Sequence, residues 1–158
     1  MSLAKPSSLS VDGATMRIGI VAARFNETLV DALLARVQAS LAVAGVSAKN
    51  IFIVRVPGSH EVPWAVQALA RGRDCVIGLG VLIGGDTNHH EMVGQSVSHA
   101  LQQVALGTGV PVINGVIVAN TLAQARVRCA GRIDRGAEFA QAALEMAALK
   151  RRNGAKKL

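Results

Sequence analysis

The most reactive side chains of this sequence gather in one short segment. In Gly84–His90, a glycine pair is followed by short polar residues and then by two adjacent histidines. Free backbone N–H groups and the positive end of a following helix would form an anion site there, and an imidazole beside the anion could transfer protons near neutral pH. The segment therefore predicts a site for a single phosphate, with His89 or His90 transferring protons. The structural alternative is a glycine turn in which Asp86 or Thr87 only caps the helix.

Metals and nucleotide cofactors fit the same segment poorly. It lacks the third glycine of a dinucleotide-binding fingerprint and the Gly-Lys-Ser/Thr of a phosphate-binding loop. His60 and Glu91 could join the histidines around zinc, but the spacing matches no metalloenzyme pattern. Cys75 and Cys129 also lack a metal-ligand spacing, and we expect both to be buried, reduced thiols of a cytoplasmic protein. The sequence thus predicts neither a metal site nor a nucleotide cofactor.

Three side chains outside this segment could contact the same ligand. Phe25 lies at the end of an apolar run, where it could offer a flat face to a heterocycle, with core packing as the alternative. Arg128 and Arg135 flank the break between the last two helical segments. The guanidinium fork of arginine donates two parallel hydrogen bonds to a phosphate. For each arginine the alternative is a solvated helix end.

The elements that position these residues follow from the hydrophobic pattern. Amphipathic segments with the helical period alternate with apolar runs, and Asn26 or Thr28 would cap the first helix. Four apolar runs predict buried strands: Met16–Ala22, Ile51–Val56, Cys75–Ile83 and Val110–Val118. Such alternation predicts right-handed βαβ units with a parallel sheet. The expected fold class is α/β, a single-domain three-layer α/β/α sandwich with a four-stranded, parallel, flavodoxin-like sheet.

This fold predicts where a ligand binds. In an open parallel sheet, ligands bind beyond the carboxyl ends of the strands. Most of the unusual polar residues fall in the segments that leave those ends: Ala23–Asn26, Pro57–Glu61, Gly84–Glu91 and the neighbourhood of Asn114 and Asn120. We therefore expect a small-molecule site at this edge.

The composition indicates one folded domain. The chain has 158 residues, of which 51 % are hydrophobic, and this excludes a disordered protein. We expect an N-terminal extension in residues 1–15, the α/β domain in residues 16–152 and a basic flexible tail in residues 153–158. No signal peptide is expected, and the longest uncharged apolar run, Val76–Gly85, is too short to cross a bilayer.

The net charge of +7 is concentrated at the end of the chain. Five of the positive charges lie in the last nine residues: Lys150, Arg151, Arg152, Lys156 and Lys157. A run of this kind is typical of a solvated helix end, and a basic nucleic-acid module is the alternative. Aromatic residues make up only 3 % of the chain, which argues against an RNA-stacking platform. We expect binding to neither nucleic acid nor membrane.

Five motifs resemble those of a known family. They occur in order at the expected spacings: Ala23–Asn26, Val56–Pro63, Gly85–His89, Pro111–Val116 and Arg135–Glu138. Together they resemble the 6,7-dimethyl-8-ribityllumazine synthase family, which performs the penultimate step of riboflavin biosynthesis. The similarity covers nearly all of the chain from Met16 to about Leu149. Departures include Asn88 where Pro or Met is usual, Asp86 where Glu is more frequent, and His90 where Phe is usual.

The resemblance implies a transferase without a metal or an organic cofactor. The family condenses 5-amino-6-(D-ribitylamino)uracil with 3,4-dihydroxy-2-butanone 4-phosphate to the lumazine, phosphate and water. The amine attacks the ketone to give an imine, phosphate leaves, and the ring closes with loss of water. These steps need positioning and proton transfer more than a strong nucleophile.

The resemblance also implies a role for each candidate residue. Phe25 would stack on the pyrimidine ring, and His89 would transfer protons. Three residues would hold the ribityl chain: Ser59, His60 and Glu61. The pyrimidine pocket would be lined by Val81, Leu82 and Ile83. The phosphate would lie at the helix start against Gly85, Asp86 and Thr87.

The remaining roles would come from a neighbouring subunit. The family builds its site between subunits of a homopentamer or a higher multiple of five. Asn114 would bind the heterocycle and Arg128 would clamp the phosphate. Arg135 replaces the usual Lys and would pair with Glu138. The extension before Met16 would lie against a neighbour's sheet. The alternative function is a catalytically weak paralogue that acts as a lumazine- or flavin-binding protein or as a scaffold.

Overall fold

The computed structural model describes residues 4–155 and contains a four-stranded parallel sheet. The strands are β1 (Ile18–Ala23), β2 (Ile51–Val56), β3 (Cys75–Ile83) and β4 (Val112–Ala119). Their order across the sheet is β2-β1-β3-β4, which is the flavodoxin-like order. The predicted fold class is confirmed. The bounds of β2 and β3 agree with the prediction, whereas β1 and β4 each begin two residues later and end one residue later.

Five helices cover the sheet. They are α1 (Glu27–Val43), α2 (Val62–Ala70), α3 (His89–Thr108), α4 (Leu122–Cys129) and α5 (Arg135–Ala155), with short 3₁₀ turns at Ala48–Asn50 and Ser59–Glu61. Helix α5 runs beyond Arg152, where we expected the domain to end, because no proline interrupts its last turn. Residues 156–158 of the predicted tail and residues 1–3 of the extension lie outside the described residues.

Two apolar cores separate three layers. On one face of the sheet, β-strand residues such as Ile20 and Leu79 pack with Leu33 of α1 and Leu144 of α5. On the other face, β1 and β3 pack against α2 and α3. Strand β3 contributes to both cores, as an almost wholly apolar parallel strand should. The rigid centre of the fold is therefore β3, whose carboxyl end leads to the glycine-rich turn.

The strand order reverses between β1 and β3. From β1 the chain moves to β2 on one side, and the next strand, β3, pairs with the other side of β1. The two connections leave the carboxyl edge in opposite directions and open a crevice there. Phe25 follows β1 and Gly84 follows β3, so the sequence brings two of its predicted ligand-binding segments to this crevice.

A charged cluster closes the opposite edge of the sheet. Asp74 precedes β3 and accepts hydrogen bonds from both Nε and Nη2 of Arg151 on α5, and from the backbone N–H of Arg17. Burial raises the pKa of the Asp74 carboxyl, but the bonds from Arg151 and Arg17 outweigh this and hold the pKa below its ordinary value. The guanidinium of Arg73 lies over the ring of Phe52 on β2, and the distance from Cζ of Arg73 to the ring centroid is 3.6 Å.

The described part of the N-terminal extension lies along α5 of its own chain. Gln141 donates to the carbonyl oxygen of Leu9 at 2.7 Å, and Glu145 accepts from the backbone N–H of Leu9 at 3.2 Å. Lys5 forms an ion pair with Glu138. Within residues 4–155, none of the helices combines the length and apolar character that a bilayer crossing needs.

Candidate active site

A cavity of about 670 Å³ opens at the carboxyl ends of β1 and β3. Its size is that of a small-molecule site, roughly 300–1,000 Å³. The sequence predicted most of its walls, and the cavity brings together these candidates: Phe25, Ser59, His60, Glu61, Val81, Leu82, Ile83, Gly85, Thr87 and His89. The cavity lies at the edge of the sheet where we expected a small-molecule site, and binding of a ligand there stays a prediction.

Phe25 provides an aromatic face at the rim of the cavity. Its backbone N–H donates to the carbonyl oxygen of Pro57 at 3.0 Å, which ties the end of β1 to the loop after β2. Its side chain is 71 % exposed. The ring rests against Gly58, where an added Cβ would lie 3.2 Å from the ring carbon Cδ2. An exposed ring in a fixed position is suited to stack on a flat heterocycle.

Asn26 takes the N-cap position of α1 without capping it. Its backbone has φ 58° and ψ 41°, the left-handed region, and no other non-glycine residue among the described ones has a positive φ. Its side-chain Nδ2 instead donates to the carbonyl oxygen of Val81 at 2.8 Å. Asparagine tolerates this conformation better than most residues do. Asn26 therefore connects the ends of β1 and β3 directly beneath Phe25.

The loop before α2 supplies polar groups to the cavity. Oε2 of Glu61 accepts from the backbone N–H of Gly58 at 2.9 Å, which fixes the carboxylate in the 3₁₀ turn. Ser59 is only 4 % exposed, and its Oγ has no hydrogen-bond partner among the described residues. The hydroxyl contacts Gly80 of β3, where a Cβ would collide with it. These groups can accept or donate hydrogen bonds to a hydroxylated ligand.

The glycine-rich turn leads directly into α3. His89 is the first residue of this helix and is exposed to the cavity. The first turn of a helix leaves backbone N–H groups without helical partners, and with the helix dipole they favour an anion. Gly85 and Thr87 line the cavity, whereas Asp86 is exposed in the same turn and is not among the lining residues. The arrangement places the N-terminal end of a helix, which favours anions, beside an imidazole.

Three predicted residues lie away from the cavity of this chain. Arg128 on α4 donates from Nη1 to the carbonyl oxygen of Gln124 at 3.1 Å. Arg135 pairs with Glu138 at 2.6 Å, as the resemblance implied. Asn114 accepts from the backbone N–H of Val116 at 3.1 Å. None of the three lines the cavity that Phe25 and His89 share.

The placement of Asn114 at a strand end was wrong. Asn114 is the third residue of β4 and pairs in register with Gly78 in the middle of β3. The apolar residues after it continue the strand to Ala119, so Asn120 is the asparagine that leaves the carboxyl end. The side chain of Asn114 is exposed because β4 is an edge strand.

Three further cavity residues, Asn26, Gly58 and His90, lie within the predicted ligand-binding segments, whereas Met92 and Val93 lie outside them. Met92 and Val93 follow His89 by three and four positions and therefore share its helix face. That spacing was a signal available in the sequence. No sequence signal indicated the role of Asn26, because its partner Val81 lies 55 residues away along the chain.

The chemistry of the cavity rests on oxygen and nitrogen groups. The described residues contain no cluster of three or more His, Cys, Asp or Glu side chains that could hold a metal ion. Cys75 and Cys129 are free and buried. Burial raises the pKa of the Cys75 thiol to about 12 and that of Cys129 to about 11. Neither thiol is therefore a nucleophile near neutral pH.

Comparison with known proteins agrees with the motifs and the cavity. Residues 15–151 match the family model described as 6,7-dimethyl-8-ribityllumazine synthase. A protein of that name from a Polaromonas species is 42 % identical over 147 residues, covering 92 % of this chain and 94 % of its own. Proteins of the same name from Thermobifida fusca and Pyrococcus furiosus are 41 % and 42 % identical, covering 96 % and 90 % of this chain and 90 % of their own lengths. Because the similarity spans the sheet and every wall of the cavity, the chain belongs to the 6,7-dimethyl-8-ribityllumazine synthase family.

Proposed function

We propose that this protein is the transferase that condenses 5-amino-6-(D-ribitylamino)uracil with 3,4-dihydroxy-2-butanone 4-phosphate. The products are 6,7-dimethyl-8-ribityllumazine, phosphate and water, and the reaction belongs to riboflavin biosynthesis. One observation supports this function above all: a single cavity has an exposed aromatic ring at its rim and the start of α3 with His89 in its wall. The two features match a flat heterocycle and a phosphate.

The proposed mechanism uses the cavity mainly to position two substrates. Phe25 stacks on the pyrimidine, and the end of β3 lines the pocket for the ring with Val81, Leu82 and Ile83. The ribityl hydroxyls bind to the loop formed by Ser59, His60 and Glu61. The amine attacks the ketone, and loss of a first water gives an imine. Phosphate is then eliminated, and the second amine attacks the remaining carbonyl and closes the ring with loss of a second water. Holding both reactants in one orientation replaces a bimolecular encounter.

The proposed proton transfer takes place at the end of the cavity that binds the phosphate. Backbone N–H groups of the turn Gly85–Thr87 bind the phosphate oxygens with the help of the α3 dipole. His89, the next residue but one, then lies beside the leaving phosphate and the carbon skeleton. An imidazole there can take a proton during imine formation and return one to the leaving group.

A neighbouring subunit completes the site in this proposal. Arg128, Arg135 and Asn114 lie away from their own chain's cavity, so they would reach the Phe25 and His89 of an adjacent copy. Two different faces carry exposed apolar side chains: Phe25 and Met92 at the cavity, and Val118 and Leu122 along the β4 edge. Pairing two unlike faces is a heterologous contact, which closes into a ring when the rotation between neighbouring copies divides a full turn evenly. We propose a homopentamer or a higher multiple of five.

The reaction and the compartment follow from the same proposal. Each step is acid–base chemistry on the substrates, so the enzyme works without a cofactor. The buried free thiols Cys75 and Cys129 are typical of a protein kept in the reducing cytoplasm. The N-terminal extension would contact a neighbouring subunit once the ring forms.

A fluorescence assay tests the function. We expect the purified protein, given both substrates, to produce lumazine fluorescence faster than the spontaneous condensation. Tight lumazine binding without acceleration would instead show a binding protein. Sedimentation of the same sample should give a mass that is a multiple of five chains, and a monomer would contradict the shared site.

Subunit mixing tests the shared site more sharply. We expect His89→Ala and Arg128→Ala to be nearly inactive when each variant is assembled alone. Rings refolded from a mixture of the two would contain seams that combine an intact His89 with an intact Arg128. Recovery of activity on mixing supports the proposal. No recovery, with mixed rings verified by mass, would mean that both residues act within one chain.

A further inference from the structure

His90 is a half-buried side chain with covered ring nitrogens, and the reaction described above does not use it. It is the second residue of α3, and its ring lines the cavity. Both ring nitrogens, Nδ1 and Nε2, are hidden from solvent, and neither has a hydrogen-bond partner among residues 4–155. A neutral imidazole carries one donor and one acceptor, and neither finds a partner among the described residues.

An unsatisfied imidazole destabilises the folded protein. Burying a donor or acceptor without a partner loses the hydration of that group and gains nothing in exchange. A phenyl ring would fill a similar volume without this loss. Unpaired buried polar groups of this kind are uncommon in proteins and often belong to a site that a ligand completes. The ring nitrogens of His90 therefore point to a partner that binds in the cavity.

The surroundings of Nε2 indicate which part of a bound ligand would supply this hydrogen-bond partner. Nε2 lies beside Gly84, where an added Cβ would be 3.2 Å from it. The carbonyl oxygen of Asn120 is on the same side, 2.7 Å from that Cβ position. Gly84 is followed directly by the turn Gly85–Thr87. His90 thus lies at the base of the turn that is proposed to bind the phosphate.

We propose that His90 is a specificity-determining residue for the phosphate-bearing substrate. When a phosphate occupies the turn, the ring rotates from its covered position and one ring N–H donates to a phosphate oxygen. The inference rests on the proposed function, which supplies the phosphate. It assigns binding to His90 and leaves proton transfer to His89, so the two adjacent histidines have different roles.

His90→Phe is the decisive variant because it removes both nitrogens and keeps a planar ring. We expect its melting temperature to rise by about 2–4 °C, since the unpaired groups are gone. Its KM for 3,4-dihydroxy-2-butanone 4-phosphate should rise about tenfold, the effect of losing one hydrogen bond to a charged group. The KM for the pyrimidine substrate and kcat should stay within about twofold of wild type. His90→Gln, which keeps an N–H donor, should recover part of the lost affinity.

Controls separate this inference from a structural role. His99, exposed on the same helix, gives the matched variants His99→Phe and His99→Gln, which should leave both KM values unchanged. An unchanged KM in His90→Phe would overturn the inference. So would a lower melting temperature, because the nitrogens would then have partners in the empty protein.

The inference and the proposed function fail in different ways. If the wild-type protein forms no lumazine, the proposed function fails, and inorganic phosphate becomes the probe for His90. Titration should then show about tenfold weaker phosphate binding in His90→Phe than in wild type. Equal affinities would overturn the inference.

Discussion

The side-chain Nδ2 of Asn26 donates a hydrogen bond of 2.8 Å to the carbonyl oxygen of Val81, which joins the ends of β1 and β3. The bond lies at the point where the strand order reverses. It holds the residue that precedes it, Phe25, at the rim of the cavity. The proposed stacking face thus depends on one asparagine that is both a hydrogen-bond donor and a left-handed residue.

Substitution of Asn26 separates these two contributions. Asn26→Gly keeps the left-handed backbone and should lower the free energy of unfolding by about 1 kcal/mol through the lost hydrogen bond. Asn26→Ala loses the bond and also strains the backbone, for a total of about 2–3 kcal/mol. Urea unfolding measures both values. Equal stability of the two variants would show that the left-handed conformation is not maintained.

The close contact between Gly80 and Ser59 gives a second prediction. A Cβ at Gly80 would collide with the Ser59 hydroxyl, so Gly80→Ala should destabilise the fold by about 1–3 kcal/mol. Adding Ser59→Ala should restore much of that loss, and a double-mutant cycle measures the coupling. Gly107→Ala is the control, because nothing lies within 4 Å of its Cβ position and the change favours the helix. Additive effects of the Gly80 and Ser59 changes would contradict the contact.

The pair formed by Asp74 and Arg151 should make stability depend on acid pH. The folded state lowers the pKa of Asp74 from its ordinary value of 3.8, so the pair stabilises the fold above that pH. This contribution disappears as the pH falls below 3.8 towards the folded-state pKa. At neutral pH, Asp74→Asn should lose about 1–2 kcal/mol, because Arg151 is partly solvated.

Melting temperatures measured from pH 7 to pH 2 test this sign. The difference between wild type and Asp74→Asn should shrink as the pH falls. Asp31→Asn is the control, since Asp31 pairs with Arg55 on the exposed side of α1. A difference that stays constant across the range would exclude Asp74 as the titrating group.

The sequence predicted the sheet well because its signals are local. The nine apolar residues of Cys75–Ile83 must be buried on both faces, and that alone locates the central strand. Most of the residues that line the cavity could then be predicted, since the segments after β1, β2 and β3 all leave the carboxyl edge of the sheet. Asn114 was misplaced although it lies inside the predicted strand Val110–Val118, because only the register of β4 against β3 shows how far Asn114 lies from the carboxyl end.

The remaining features depend on contacts between distant segments. Asn26 has the sequence signal of a helix cap, and only the proximity of β1 to β3 turns its side chain towards Val81. Nε2 of His90 lies beside Gly84, which also lies close to the carbonyl oxygen of Asn120, and Gly84 and Asn120 follow different strands. Arg128 and Arg135 have sequence signals for phosphate binding, but one chain does not bring them to the cavity.

Arg128 is expected to bind the phosphate across the subunit boundary. Arg128→Ala should lower kcat/KM for the phosphate-bearing substrate by about 100-fold, because a charged hydrogen-bonding group is lost. Arg126→Ala is a matched control two residues earlier on the same helix, where the side chain is exposed. Steady-state kinetics on intact rings measures both variants. Unchanged turnover in Arg128→Ala would remove this residue from the phosphate site.

The adjacent histidines should differ in the step that each one affects. His89 is exposed at the first position of α3 and lines the cavity, so its imidazole is accessible to a ligand there. The nitrogens of His90 are covered. His89→Ala should therefore slow the condensation by about 100-fold or more, the usual effect of losing a general acid–base group. His90→Ala should change mainly the KM for the phosphate substrate. Single-turnover mixing with both substrates saturating measures the chemical step, and a slower step in His90→Ala than in His89→Ala would assign proton transfer to His90.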